Sequence, residues 1–494
     1  MIGARRDGGT LRFPQWRGLD SGGGWRSLWV EQALAREGEL RPRVLNGPAR
    51  ADVAIVGGGF TGLWTALRLR ELDPQLSIAI VEADLCGTGA SGRNGGAVSH
   101  WWAKLPTLEK LLGPADAVTL VRASSAAIDG VMAFVDENDL DCLLRRTAGI
   151  WTATSDVQVG AWNRVLDTAK RLDLTPPYRP LSTDELKALL PGGPHRAAMI
   201  DETARRVQPA ALARGLRRVA IERGIAVYER SPVQSIDLGD AVGVRITTAA
   251  GELTAAKAVL AANAWMAHLP EFKSQVMVVS SDVIATEPVG DELIAELGLD
   301  RVGGFNSRMM VNYFAASGGR VFMGRGGGTL ATFGHIGRSF SASPKQTAQV
   351  RADLSRMFPR LAGRAITHAW AGPVDRSPMG LPWFEALRDD DRVHYAIGYA
   401  GHGVGASAMG GKILASQLLD RDDEYFELGR LFSRARGGAF PREPARTLGG
   451  FFVRRAVGRK EAADDAGRTP KRVDVALSRL APATMADTKR GSKR

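Results

Sequence analysis

The stretch A-D-V-A-I-V-G-G-G-F-T-G-L, residues 51–63, decides how the rest of this chain is read. Residues 52–56 are a short run of small and β-branched apolar side chains, the composition of a strand buried on both faces of a parallel sheet. Gly57, Gly59 and Gly62 follow as G-x-G-x-x-G, and residues 63–72 have helical composition up to the breaker Asp73-Pro74. Residues 77–81, S-I-A-I-V, read as a second buried strand that stops at Glu82, twenty residues past the last glycine. Strand, glycine turn, helix and strand make a βαβ unit with an acid where a dinucleotide fold requires one.

Each part has a physical task. Gly57 permits the tight turn; Gly59, without a Cβ, lets a pyrophosphate sit on the backbone; Gly62 lets helix and strand pack closely. The helix start, with Phe60 and Thr61, offers free N–H groups and a partial positive charge to phosphates. The Glu82 carboxylate can accept both hydroxyls of an adenosine ribose and would repel a 2′-phosphate, so FAD or NAD fits better than NADP.

Working outward, residues 87–96 read G-T-G-A-S-G-R-N-G-G. A nicotinamide enzyme has no need of a second glycine-rich loop here. A flavin does, because its ribityl chain and ring lie along the protein. Ser91 and Arg93 can reach phosphate or ribityl oxygens, and Gly95 and Gly96 can lie against the isoalloxazine. Far along the chain, residues 398–405, G-Y-A-G-H-G-V-G, follow the apolar strand 393–397 and open a helix over 406–419. N–H groups at such a start suit the N1–C2=O edge of a flavin, where negative charge collects on reduction. One G-x-G-x-x-G in strand–helix context leaves no second fold for NADPH. Electrons then come from the organic substrate and leave to oxygen, a quinone or a carrier.

The remaining chain fits around these three stretches. Residues 25–40 can hold one helix in an otherwise weakly patterned arm, and 106–200 read as helical and mixed. The amphipathic run 210–223 precedes strand 225–228. Residues 242–256 suggest a hairpin, and 258–262 a further strand. Loosely alternating segments at 276–279, 282–286, 309–314 and 320–324 suggest an inserted antiparallel sheet.

Of 494 residues 44% are apolar, enough for a large core, and 58 are glycine without a collagen period. The net charge of +12 sits mostly at the ends: +4 over 1–50, +7 over 451–494, and about +1 between them. A near-neutral body argues against specific nucleic-acid binding, and the basic end reads as solvated. Two cysteines, Cys86 and Cys142, exclude a disulfide scaffold and a cysteine-rich metal site. No apolar run reaches the length of a membrane span, and Arg5-Arg6 lacks the apolar segment of an export signal. A cytoplasmic protein is the expectation.

Four segments carry a family resemblance: residues 51–63, G-A-S-G-R-N-G-G at 89–96, A-W-A-G-P-V-D-R-S-P at 369–378 and G-Y-A-G-H-G-V at 398–404. In order and spacing they resemble the D-amino-acid-oxidase-like superfamily of FAD enzymes, with the gamma-glutamylputrescine oxidase branch nearest in look, over roughly residues 50–430. The resemblance implies an α/β fold: a discontinuous Rossmann-like FAD-binding domain with an inserted antiparallel-sheet substrate domain. The expected division is an arm (1–50), FAD-binding parts at 51–105, 206–270 and 366–430, substrate-domain parts at 106–205 and 271–365, and a basic extension (431–494) disordered after 453. It implies that Val233 meets the adenine side, and that Ala83, Asn94, Gly372, Gly401, His402, Gly403 and Val404 join the cofactor contacts. It implies oxidation of a C–N bond in a small-molecule amine to an imine, with O2 as the expected acceptor. A same-fold dehydrogenase, hydroxy-acid oxidation and a non-catalytic flavin-binding module are the alternatives. Cys86 reads as a packed residue and Cys142 stands far from the flavin segments, so FAD is expected to be noncovalent.

Flavin removal of hydride from an amine needs a neutral amine held close to the ring. His402 is the candidate to take the ammonium proton or to hydrogen-bond the flavin, given an ordinary pKa near 6.5. Tyr313, on a predicted inner strand, could orient the substrate, and His100 with Trp101 and Trp102 could wall an alkylamine. Where many relatives end the strand 311–315 in arginine this chain has Ala315; Arg308 or Arg325 could substitute in gripping a substrate carboxylate and Lys273 could promote reaction with oxygen, though all three read first as surface residues, and Asp375 reads as the end of a strand near the pocket.

Overall fold

The structure is a computed structural model, and it describes residues 9–14, 26–142, 147–240, 243–337, 340, 342–388 and 390–482. The buried run ahead of the glycines becomes the inner strand Gly47–Val56. It lies parallel to Ile78–Val81 on one side and to Gly251–Leu260 on the other. Ala226–Tyr228 adds a further parallel strand beyond Ile78–Val81. The free edge of Gly251–Leu260 is shared: its first half pairs antiparallel with Gly243–Thr247, its last three residues parallel with Asp390–Ile397. Thr10–Arg12, from the arm, closes one edge by pairing with Ser235–Asp240. Parallel strands are covered on both faces, which is why their side chains read as unbroken apolar runs.

Helix Phe60–Leu72 starts on Gly59 and crosses helix Gly403–Leu418. A Cβ on Gly411 would stand 2.6 Å from the Trp64 Cβ, so that crossing requires a glycine. Helix Pro114–Glu137 packs on Gly403–Leu418 as well. By length and composition it is apolar enough to cross a membrane, contrary to the reading of the sequence. Here one of its faces, with Leu120, Val121, Ile128 and Val131, is buried in the largest core cluster, and core burial accounts for its composition.

A second, eight-stranded sheet runs in the order Ile366–Arg376, Met277–Thr286, Arg320–Arg325, Asn312–Ser317, Val302–Asn306, Ala148–Ala153, Ala197–Asp201, Tyr178–Pro180. All its pairs are antiparallel except Val302–Asn306 with Ala148–Ala153. The strand Ile366–Arg376, read as part of the last cofactor segment, pairs along its length with Met277–Thr286 in this sheet. Its far end returns to the first domain through a bridge from Arg376 to Tyr399.

The described residues flanking the family-like body form helices on both sides. Helix Leu28–Glu37 begins on Ser27, whose hydroxyl accepts from the Val30 N–H, and it buries Leu28, Trp29, Val30, Ala33 and Leu34. The disorder expected after residue 453 is overturned. Helices Ala445–Asp465 and Arg472–Ser478 fold there, anchored by the buried acids Glu461 and Asp474. The anchors are charges, which hydropathy patterning overlooks. The basic residues 483–494 lie outside the described residues.

Candidate functional site

A cavity of about 400 Å³ opens where the carboxyl ends of the parallel strands meet the face of the second sheet, the place where open α/β sheets bind ligands. Glu82, Ala83 and Val233 line it, as do Tyr313, Trp151 and Phe305. All three glycine-rich stretches border it.

In the first stretch, a Cβ on Gly62 would lie 2.0 Å from the Gly57 carbonyl oxygen, so this glycine does the packing expected of it and stays outside the cavity lining. Gly57 has φ +113 and abuts Ala261, which confines the turn to glycine. Gly59 faces the cavity, with only the Ser91 hydroxyl near its missing Cβ. Phe60 and Thr61 line the cavity beside it, and Thr61 shares a 2.7 Å hydrogen bond with the Tyr399 hydroxyl. Glu82 accepts from the Gly58 N–H at 2.6 Å and the Asp84 N–H at 3.0 Å. Burial pushes its carboxyl up to about 7 against those two hydrogen bonds.

In the second stretch Ser91 accepts from the Phe60 N–H at 2.9 Å, joining the loop to the helix start. Arg93 donates to the carbonyls of Thr88 and Ala371, and Asn94 braces the loop through Ala90, Ser91 and the Gly96 N–H. Ser91, Arg93, Asn94 and Gly95 line the cavity. Gly96 does not; with φ +69 and a missing Cβ that would lie 2.0 Å from the Val207 oxygen, it turns the chain away. Two tryptophans hold this loop from behind, Trp29 donating to the Asn94 carbonyl and Trp370 to that of Arg93, both at 3.0 Å.

In the third stretch Gly401, His402, Gly403 and Val404 line the cavity, joined by Gly372 from strand Ile366–Arg376, and Cβ positions at Gly401 and Gly403 would meet nothing closer than 3.7 Å. Asp375 shapes the loop by accepting from the Gly398 N–H at 2.5 Å and the Tyr399 N–H at 3.3 Å. His402 does not titrate in the range expected of it. Burial, with the charges of Lys104 and Arg376, pushes its imidazole down to about 3. It is therefore neutral at ordinary pH, and its buried Nδ1 has no hydrogen-bond partner. Asn263, missed in the sequence, stands in the lining at φ +49 with its buried Oδ1 likewise unpartnered. Three glycine cradles and two orphaned polar atoms along one cavity fit a long, flat, polar-edged group such as FAD.

The opposite wall corrects several expectations. Tyr313 lines the cavity; its ring would be 2.8 Å from a Cβ on Gly95, and its hydroxyl lies 2.9 Å from Ser281 Oγ. Burial pushes that phenol up to about 12, so it stays protonated. His100 is in the lining, with Nε2 2.8 Å from Asp201 Oδ2 and its ring edge-on to Tyr178. Trp101 and Trp102 are core residues outside the lining, one against Phe432 and the other bonded to Ser125. The aromatic wall is instead Trp151 stacked on Phe305 at 5.6 Å, with Tyr178 beside them. These come from strands that sequence periodicity did not resolve.

Arg308 and Arg325 are not surface residues. Arg308 donates to Glu461 at 3.2 and 3.1 Å and to Asp465 at 2.9 Å, and Arg325 to Asp353 at 2.6 Å. Both are buried; the acids Arg308 donates to come from the extension the sequence left unfolded, and Asp353, the partner of Arg325, from helix Pro344–Met357. Arg376, by contrast, lines the cavity with no acidic partner among the described residues. Lys273 is exposed and outside the lining. Cys86 and Cys142 form no disulfide, are buried, and do not line the cavity.

Comparison with known proteins agrees with this architecture. The profile of the DAO family, described as FAD dependent oxidoreductase, matches residues 52–417. Gamma-glutamylputrescine oxidoreductase of Escherichia coli is 28% identical over 394 residues, 78% of this chain and 87% of that protein. Glycine oxidase of Pseudomonas aeruginosa is 27% identical, covering 77% of this chain and 99% of that one. Among solved structures, glycine oxidase from Geobacillus kaustophilus superposes with a TM-score of 0.63 at 21% identity, over 76% of this chain and 96% of the other.

Proposed function

Because the chain belongs to the DAO family of FAD-dependent oxidoreductases, we propose that it oxidises the C–N bond of an amine or amino-acid-like substrate to an imine, with O2 as acceptor. The observation that carries this reading is the cavity itself, lined by three side-chain-poor stretches together with an aromatic group and two arginines, Arg206 and Arg376, that have no acidic partner among the described residues. The relatives' names point the same way, since one acts on gamma-glutamylputrescine and another on glycine. Bound flavin supplies the two-electron acceptor for the hydride next to nitrogen.

The chain's own residues hold and orient. The Phe60 helix start and Gly59 receive the pyrophosphate, Glu82 the ribose, and the 398–403 turn with neutral His402 the pyrimidine edge of the ring. Neither His402 nor Tyr313 takes a proton at ordinary pH in this reading, so the substrate enters as the free amine. Tyr313 and the Trp151–Phe305 pair flatten the substrate against the ring. Arg376 is the group to hold a substrate carboxylate, because Arg308 is already saturated by Glu461 and Asp465. FAD is held without a covalent link, since both cysteines sit outside the lining. Free buried thiols also suit the reducing cytoplasm in which we place the protein.

The test is anaerobic mixing of the yellow holoprotein with polyamines, N-methyl amino acids and D-amino acids. Bleaching by one of these classes, followed by peroxide on admitting air, is the expected result. Bleaching without peroxide favours a dehydrogenase, and no bleaching by any amine contradicts the reading. Arg376→Ala should raise KM for carboxylated substrates at least about tenfold, the loss of roughly one charge-assisted hydrogen bond, and leave amines without a carboxylate unaffected.

A further inference from the structure

We propose that the outward face of helix Ala445–Asp465 docks the protein on an anionic lipid surface. The helix lies beyond residues 52–417, the part of the chain that matches the family. Its inward side is accounted for. Glu461 grips Arg308, Arg446 donates to the Val276 carbonyl and Arg454 to the Gly328 carbonyl.

The outward side has no such partners. Leu448, Phe451 and Phe452 are 56, 44 and 58% exposed, and they stand at helix spacings of three and four, forming one stripe. The two phenylalanine rings pack edge-on at 5.9 Å, and the Arg455 guanidinium lies 5.4 Å from the Phe451 ring, one turn further along the same stripe. Beside them Phe333 is 59% exposed in a left-handed conformation, φ +53, with its N–H bonded to Thr447 of the helix. A bulky residue rarely adopts that conformation, and here it leaves an aromatic ring in water next to two others.

Charge identifies the occupant. From residue 442 to 482 there are ten basic and five acidic side chains. All five acids are engaged: Glu443 with Arg446, Glu461 and Asp465 with Arg308, Asp464 with Lys460, Asp474 with Arg459. Arg442, Arg455, Arg468, Arg472 and Arg479 are exposed and form no ion pair with an acid among the described residues, and Lys471 is exposed beside Asp474. Cations alone would suit any polyanion. An aromatic and aliphatic stripe ringed by cations suits one surface best, a bilayer whose headgroups take the arginines while its acyl boundary takes the rings. Contact would be peripheral, with the stripe lying in the plane of the headgroups.

The experiment is co-sedimentation of the full-length protein with vesicles of equal parts phosphatidylglycerol and phosphatidylcholine, against phosphatidylcholine alone. Binding only to the anionic vesicles, at least tenfold weaker in high salt, is expected. Phe451→Ser with Phe452→Ser should weaken it at least tenfold while the melting temperature stays unchanged. Arg472→Glu with Arg479→Glu, remote from any described core contact, should do the same independently. No binding to anionic vesicles overturns the proposal. So does binding that ignores salt or both variants, preference for an RNA duplex over vesicles, or a dimer in solution that the phenylalanine variant dissolves.

Discussion

At the scale of single residues, the site depends on atoms that are absent. Gly62→Ala puts a methyl 2.0 Å from the Gly57 oxygen, and relief requires moving helix Phe60–Leu72 off the strand. The variant should lose flavin by more than tenfold in affinity, measured by fluorescence titration of apoprotein. His402 makes a sharper statement. Its folded pKa of about 3 lies below the ordinary 6.5 of the unfolded chain. Its contribution to stability is therefore complete above about 6.5 and is lost as pH falls towards 3. In catalysis the group stays neutral, so the acid limb of kcat/KM belongs to the substrate amine. His402→Asn should leave that limb in place when the profile is measured. Disappearance of a pKa near 6.5 in the variant would show that the imidazole takes the proton after all. Glu82 was legible from its distance to the glycines, whereas Asn263 and Arg376 were not. Nothing in their spacing marks them, and only the folded chain brings them to the lining.

At the scale of elements, the strand–turn–helix units were readable because buried parallel strands are continuous apolar runs bounded by glycine. The strands Ala148–Ala153 and Ala197–Asp201 were not, since they alternate weakly and pair with partners far along the chain. The helix expected over 25–40 formed, but what holds it and the C-terminal helices in place was hidden for another reason, their anchors being polar. Ser27 donates to the Gly92 carbonyl at 2.5 Å, Trp29 to that of Asn94, and the Gln208 amide to that of Trp29. Helix Leu28–Glu37 is thereby the back of the glycine-rich loop 87–96. Trp29→Ala should cost about 3–5 kcal/mol and weaken flavin binding as well, which thermal melts of apo and holo forms will separate. Glu461→Ala takes one of the acids from the Arg308 guanidinium, leaving Asp465 and Asp353 beside it, and removes the acceptor of the Met310 N–H, so it should cost about 1–3 kcal/mol. Glu461→Gln, keeping an acceptor for Arg308 and for the Met310 N–H, should cost clearly less by chemical denaturation.

At the scale of the whole molecule, two sheets of different origin close on one cavity, and the long strand Ile366–Arg376 belongs to one while its end bridges to the other. In the proposed reading the phosphate-side contacts come from the elements around the parallel strands and the aromatic wall from the second sheet. The first domain's fold was legible because one motif dictates it; the second domain's contribution was not, because it depends on which strands face which loop. Everything argued for catalysis requires that the three glycine-rich stretches share one flavin. The most direct check is to denature the purified protein in acid, remove the polypeptide, and measure the FAD left in solution per chain. The account requires one FAD per chain, all of it released. A colourless protein with no FAD, or flavin that stays with the precipitated chain, would contradict it.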